Sequence, residues 1–281
     1  MPTKMKIKKK KLMFKYFICS LIVIFSFCSC GPSYPKETLE QDIEKVVQKE
    51  AGIFPKVEII KDTLYLDLEM EDLVSIQSDV VAKAINSLQS AVFAITRIAL
   101  SSDADIKIIV VTAYDPNFQV ALRMFQNIDD VKSYFYQRIS RGDYEQRQLI
   151  EMETPETAQA AVLDKHYVTI DEFVSRLVIS QLNMSGRQNP FIANILTSLN
   201  LKYSHIESGK VYLSSSGDSE ILSSKYIKEL IITEFEKNIE KYKIEDINSV
   251  VVLDKQGGSV LELSLNPKTA KDENKLFGKF W

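Results

Sequence analysis

The sequence predicts an α+β fold: two similar β-β-α-β-β units with a helical insert between them, a pattern that reads as an internal duplication. Three observations carry that expectation. Leu64-Tyr65-Leu66 recurs as Val211-Tyr212-Leu213 at an offset of 147 residues. Asp105-Ile106 to Ile109-Val110-Val111 recurs as Asp246-Ile247 to Val250-Val251-Val252 at an offset of 141. Each of these intervals also holds a long stretch with helical apolar spacing. The chain then divides into a leader (1–29), a tether (30–37), a first unit (38–126), an insert (127–200), a second unit (201–266) and a tail (267–281). Convergence on a common hairpin-helix-hairpin grammar is the other reading of the same pattern.

The first unit opens with a helix over 38–50. Thr38 and Gln41 have capping-box spacing, and Leu39, Ile43, Val46 and Val47 form an apolar stripe. Pro55 ends that region, and Val57-Glu58-Ile59-Ile60 leads through Lys61-Asp62-Thr63 into a strand. There Leu64, Leu66 and Leu68 alternate with Tyr65 and Asp67, as in a half-buried strand. A helix over 78–100 carries Val81, Ala84, Ile85, Leu88, Val92, Ile95 and Ala99 on one side. The run Ile108-Ile109-Val110-Val111 is apolar on both faces and reads as a central strand. Asp115-Pro116-Asn117 turns the chain into a last strand bearing Val120, Leu122 and Met124.

The second unit repeats that order. Lys202 to Ile206 leads through Glu207-Ser208-Gly209 into Val211, a helix over 224–242 follows, and Gln256-Gly257-Gly258 makes the final turn. At the offset of 141, Val260, Leu261, Leu263 and Leu265 stand beside Gln119, Val120, Leu122 and Met124. The insert reads as helices over 129–141 and 143–152, a helix capped by Thr169 and Glu172, and one opened by Asn189-Pro190. Gly186-Arg187-Gln188 forms the hinge between the last two.

The first thirty residues form an address. Seven lysines and no acid precede the apolar run Tyr16 to Cys28, the layout of a secretory signal. The run is short of the roughly twenty residues a spanning helix needs. Its end, Phe27-Cys28-Ser29-Cys30-Gly31, resembles the lipobox of bacterial lipoproteins through Ser29 and Cys30, while Phe27 and Cys28 depart from the usual residues. The resemblance implies that Cys30 becomes the acylated N-terminus of the mature protein. An uncleaved helical anchor is the alternative. Gly31 lacks the acidic residue that retains enteric-type lipoproteins at the inner membrane, so the family's rules imply the outer membrane.

Charge narrows the partners. The chain has 35 basic and 38 acidic side chains, and losing the leader leaves 28 against 38, about -10. No nucleic-acid partner is expected of such a balance, since counterion release needs a basic face. With 45% hydrophobic and 26% charged residues, the body has the composition of an ordinary globular protein.

Catalytic signatures do not emerge. All three cysteines, Cys19, Cys28 and Cys30, fall in the leader and its end, leaving the body without a thiol or disulfide. There is no G-x-S-x-G, P-loop, G-x-G-x-x-G or H-E-x-x-H. Ser33 and Lys36 have S-x-x-K spacing, but they lie in the tether around Pro35. His205 falls opposite Ile59 in the repeat, on the packing face, and His166 falls in a surface loop. Asp103, Asp105 and Asp115 lack the spacing of a calcium loop, and no metal or cofactor is expected.

The binding candidates are aromatic. Tyr134, Phe135 and Tyr136 are consecutive on a helix, so they cannot all face one core. Phe277 and Trp281 near the C-terminus either dock on the domain or form a foot on a membrane or partner. The function expected is non-enzymatic: a lipid-anchored envelope module that holds a protein partner. A carboxylate-based envelope hydrolase and a small-ligand carrier are the alternatives.

Overall fold

The computed structural model describes residues 34–74, 78–185 and 190–266. Its fold is α+β, with two sheets. The first unit contains α1 (Leu39–Ala51), β1 (Pro55–Ile60), β2 (Thr63–Glu69), α2 (Ser78–Leu100), β3 (Ile108–Asp115) and β4 (Val120–Asn127). Next come α3 (Ile128–Phe135), α4 (Arg141–Glu145), β5 (Leu149–Glu153), α5 (Ala158–Leu163), α6 (Ile170–Ser185) and α7 (Pro190–Leu199). The second unit contains β6 (Lys202–Glu207), β7 (Lys210–Ser214), α8 (Ser219–Ser223), α9 (Lys225–Tyr242), β8 (Ser249–Leu253) and β9 (Ser259–Ser264). Among the described residues no helix is long and apolar enough to cross a membrane.

The sheets run β1-β2-β3-β4-β5 and β6-β7-β8-β9. In each, an antiparallel hairpin is joined in parallel to a second hairpin, and a long helix makes the connection. The registers agree with the sequence offsets. Leu64 faces Ile109 in one sheet, and Val211 faces Val250 in the other. The turns agree as well: Lys107 donates to the Asp62 carbonyl at 2.8 Å, and Asn248 donates to the Gly209 carbonyl at 2.9 Å. Gly209 has φ +76, and a Cβ there would lie 2.5 Å from the Asp246 carbonyl, so this turn needs glycine.

Two features of the repeat depart from expectation. Ile206 faces Val211 as Ile59 faces Leu64, which puts His205 in the place of Glu58. A one-residue slip reverses every face of a strand. His205 is therefore exposed and stacks on Tyr212, with ring centroids 4.4 Å apart. The last strand also shifts. Leu263 faces Val250, while Ile109 faces Gln126, so the β8–β9 hairpin is four residues shorter than β3–β4. An even difference keeps the apolar face in phase.

The insert contains more than helices. The helix expected over 129–141 stops at Phe135, because Gln137 takes a left-handed conformation with φ 55. Asn127 caps it, accepting from the Asp129 and Asp130 amides. The helix expected over 143–152 is instead α4 followed by β5, which adds a fifth strand to the first sheet. Thr38 does not cap α1. Its hydroxyl donates to Asp42 Oδ2 at 2.7 Å.

Packing follows from alternation. On the inner face of the first sheet, Leu64, Leu66, Ile109 and Val111 pack under Ile43, Leu88, Ile95 and Ile98 of α1 and α2. On the outer face, Tyr65, Ile108, Val110, Phe125 and Leu149 belong to a second, larger core. Its centre is α6, where Phe173, Val174, Leu177, Val178 and Leu182 are fully buried. That core continues through Ile227, Ile231 and Phe235 of α9 to Val211 and Val250 of the second sheet. One insert helix thus joins the two units, each such side chain contributing about 1.5–3 kcal/mol of burial.

Candidate functional site

Three places on this scaffold concentrate chemistry or exposed apolar surface. The first is a polar row across the outer face of the first sheet. Cross-strand pairing sets Lys56, Asp67, Thr112, Arg123 and Glu151 side by side, one from each strand. Glu58, Tyr65, Val110, Phe125 and Leu149 form the adjacent row toward the core. The short helix α5 lies across β3 and β4 above these rows, and the segment after it runs back over β1 and β2.

That segment is fastened by ions. Lys165 Nζ sits 2.6 Å from Asp67 Oδ2 and 3.1 Å from Glu58 Oε2. The Tyr65 hydroxyl donates to the His166 carbonyl at 2.5 Å and accepts from the His166 amide at 3.2 Å. The His166 ring stands between two carboxylates, with Nδ1 3.2 Å from Asp164 and Nε2 3.0 Å from Glu172.

Glu172 also faces Arg176, whose Nε is 2.9 Å from Oε1, although the pair is not aligned as a hydrogen bond. The Arg176 guanidinium reaches on to Glu151 at 3.1 Å. Burial alone pulls the Arg176 pKa down, but the charges of Glu151 and Glu172 outweigh it and leave it raised. Both carboxylates are therefore engaged with one arginine, an arrangement that ties sheet to helix. Arg123 is different. It is 3% exposed, its guanidinium lies 5.0 Å from the centre of the Phe125 ring, and among the described residues Nε and Nη2 have no hydrogen-bond partner.

Tyr65, Tyr203 and Tyr242 line the same core, and Tyr144 stacks on Tyr134. Burial is the main cause of a raised phenol pKa at Tyr65, Tyr144, Tyr203 and Tyr242. Tyr203 is pushed up to about 12 by burial and then by the Glu172 charge. Each phenol keeps its proton in the folded chain at a pH where the unfolded chain loses it. This stabilisation is complete below the ordinary value of about 10 and is lost as pH rises through the raised values. At pH 11, absorbance at 295 nm is expected to count fewer phenolates in the native protein than in the same protein in denaturant. Equal counts would contradict the burial of these rings.

The second place is the end of the first sheet where the chain enters. Tyr34 bridges to Ser102, and the Lys36 amide donates to Asp103 Oδ1 at 2.7 Å, so the entry point lies where α2 ends. The helix α3 leaves from the same end, its Ile128 amide donating to the Lys107 carbonyl at 2.9 Å. The three sequence-selected aromatics divide here. Tyr134 stacks on Tyr144 with centroids 4.7 Å apart, whereas Phe135 is 49% exposed and Tyr136 71% exposed. Arg138 lies over the Tyr136 ring at 5.6 Å. Cys30, Gly186-Arg187-Gln188, Phe277 and Trp281 lie outside the described residues.

The third place is a strip that sequence reasoning missed. On the inner face, α1 and α2 cover the β1–β3 half, but Leu122 faces Met152 and Met124 faces Ile150 at the β4–β5 edge. Met152 is 74% exposed and Ile150 47%, with Leu122 and Met124 half-buried. Thr96 donates to Gln126 Oε1 at 3.3 Å, which fixes the α2 flank that borders β4. Val92 and Ile85 share that flank by helical spacing, and Ile85 is exposed. The available signal was the alternation Leu149-Ile150-Glu151-Met152, which fits an edge strand as well as a helix.

Asp115 is a buried loop organiser, accepting from the amides of Val74, Asn117 and Phe118. It stands at the opposite end of β3 from Asp103 and Asp105, roughly 25 Å away for an eight-residue strand, so these three cannot share an ion. No family model matches the sequence, and no curated protein or solved structure is significantly similar to it.

Proposed function

We propose that this chain is a lipid-anchored protein of the bacterial cell envelope, attached through Cys30 to the outer membrane. Its role is to hold a protein partner rather than to catalyse a reaction. The observation that carries this reading is the apolar strip of Leu122, Met124, Ile150 and Met152 beside the α2 flank. Five strands make a face roughly 24 Å wide, and α1 and α2, each about 10 Å wide, are set toward its β1–β3 side, so the β4–β5 edge keeps exposed apolar side chains on this face. An amphipathic segment of a partner fits that edge, and two methionines give it an adaptable lining.

Anchoring orients the strip. Three residues separate Cys30 from Tyr34, and the four steps between them span at most about 14 Å, which keeps the Tyr34 end near the bilayer. Phe135 and Tyr136 extend from that end, where aromatic rings suit the headgroup region. The strip runs along the strands away from it, and Phe54 and Phe118 are exposed at the far end.

Two outcomes test this reading. Cys30→Ala is expected to abolish acyl labelling and to release the protein from membranes; label retained on that variant would contradict attachment at Cys30. Met152→Glu is expected to change stability by no more than about 0.5 kcal/mol, since it alters an exposed side chain. Partner capture from native membranes should nevertheless fall at least tenfold in that variant. Undiminished capture would remove the strip from the interface.

A further inference from the structure

We propose that Arg123 is the receptor for a small oxyanion, a carboxylate or phosphate group, bound between the outer face of the first sheet and α5. This goes beyond the partner-binding reading and does not depend on it. The central observation is which nitrogens are unpaired. Nε and Nη2 share one edge of the guanidinium, the edge that a carboxylate or phosphate engages with two parallel hydrogen bonds. Both atoms are shielded from solvent, and neither has a hydrogen-bond partner among the described residues.

The neighbours explain why the protein does not satisfy that edge itself. Glu151 is directly opposite Arg123 on β5, but its carboxylate is held by Arg176 at 3.1 Å. Thr112 flanks Arg123 on β3, and Asp67, whose Oδ2 is held by Lys165 at 2.6 Å, stands one strand further off on β2. Arg176 lies over the same Phe125 ring as Arg123, so two guanidinium groups converge there, at 5.0 and 5.6 Å from its centre. Both nearby carboxylates, Glu151 and Glu172, are engaged by Arg176, so among the described residues the Arg123 edge is left without a hydrogen-bond acceptor, which an oxyanion supplies. A buried charged donor with no partner is costly enough that native proteins rarely retain one without a use.

Access has a local route. The roof, α5, has only six residues and buries two small side chains, Ala158 and Ala161. Little apolar area holds it down, so it opens at a smaller cost than the sheet or α6.

The test uses the full-length protein in detergent, titrated with sodium phosphate and separately with sodium acetate. Sodium chloride at matched ionic strength is the control, and calorimetry and amide exchange are the readouts. Saturable binding of at least one anion is expected, with slower exchange in α5. Phosphate binding alone assigns a phosphate group, and acetate binding alone assigns a carboxylate. Arg123→Met, which has no donor to strand, should fold and show no saturable binding. Arg123→Lys, which lacks the two-pronged edge, should bind at least about tenfold more weakly. No binding beyond the chloride control, or equal binding by wild type and Arg123→Met, overturns the proposal.

Discussion

Phe173→Ala is expected to lower the unfolding free energy by about 3–5 kcal/mol, the range for truncating a buried aromatic ring. The ring is fully buried on α6, the helix whose apolar residues contact both units. It meets Tyr242 of α9 edge to face, with centroids 5.9 Å apart and planes at 82°. Such a pair adds about 0.5–1.5 kcal/mol beyond area burial. Truncation leaves a cavity that β-sheet and helix backbones on either side cannot readily close. Denaturant titration of the purified protein measures the effect. A loss under about 1 kcal/mol would mean that α6 is not the joint between the units.

Asp130→Ala should have a comparable cost, about 3–5 kcal/mol, through a different mechanism. Asp130 is buried on α3 and accepts from Arg147 Nη1 at 2.6 Å and from the Tyr242 hydroxyl at 2.6 Å. Removing the carboxylate strands the arginine, whose Nε already has no hydrogen-bond partner among the described residues. The Tyr242 phenol is pushed up first by burial and then by the Asp130 charge, so it should ionise at a lower pH in the variant. Asp130→Asn separates the effects, since the amide can still accept from Tyr242 while the ion pair is lost. The same denaturation series reads both variants, and an alkaline absorbance titration follows the phenol. A stability change below about 1 kcal/mol in Asp130→Ala would contradict the tie between insert and second unit.

The repeat was legible because strands alternate with period two and the apolar pairs sit in the central parallel ladder. Leu64 beside Ile109 and Val211 beside Val250 are the same contact reached through two different offsets. What the pattern could not fix was the length of the last hairpin, since a shift by four leaves every face unchanged. His205 failed for the opposite reason, a shift by one that turned it from core to surface. β5 was hidden because five residues are too few to separate helical from strand spacing, and only pairing with β4 decides it.

The polar row was hidden by distance along the chain. Asp67, Arg123, Glu151 and Arg176 come from four separate segments, and no local spacing links them. Glu172 was noticed for another role. Its amide does bond the Thr169 hydroxyl at 3.1 Å, as the capping box implies, but its carboxylate turns to His166 and Arg176. The aromatic triplet was legible as a conflict with helical geometry, and α3 resolves it by turning Tyr134 onto Tyr144 and leaving its two neighbours exposed.

Site-specific photocrosslinking is the most direct test of the partner-holding role. A photoreactive benzophenone amino acid is placed at Met152 in the full-length, membrane-bound protein, with the exposed helix position Glu229 as control. The partner-holding role predicts one discrete protein adduct from position 152, a weaker adduct from Ile150, and none from 229. Acylated protein that gives no more crosslinking at 150 and 152 than at 229 would contradict it.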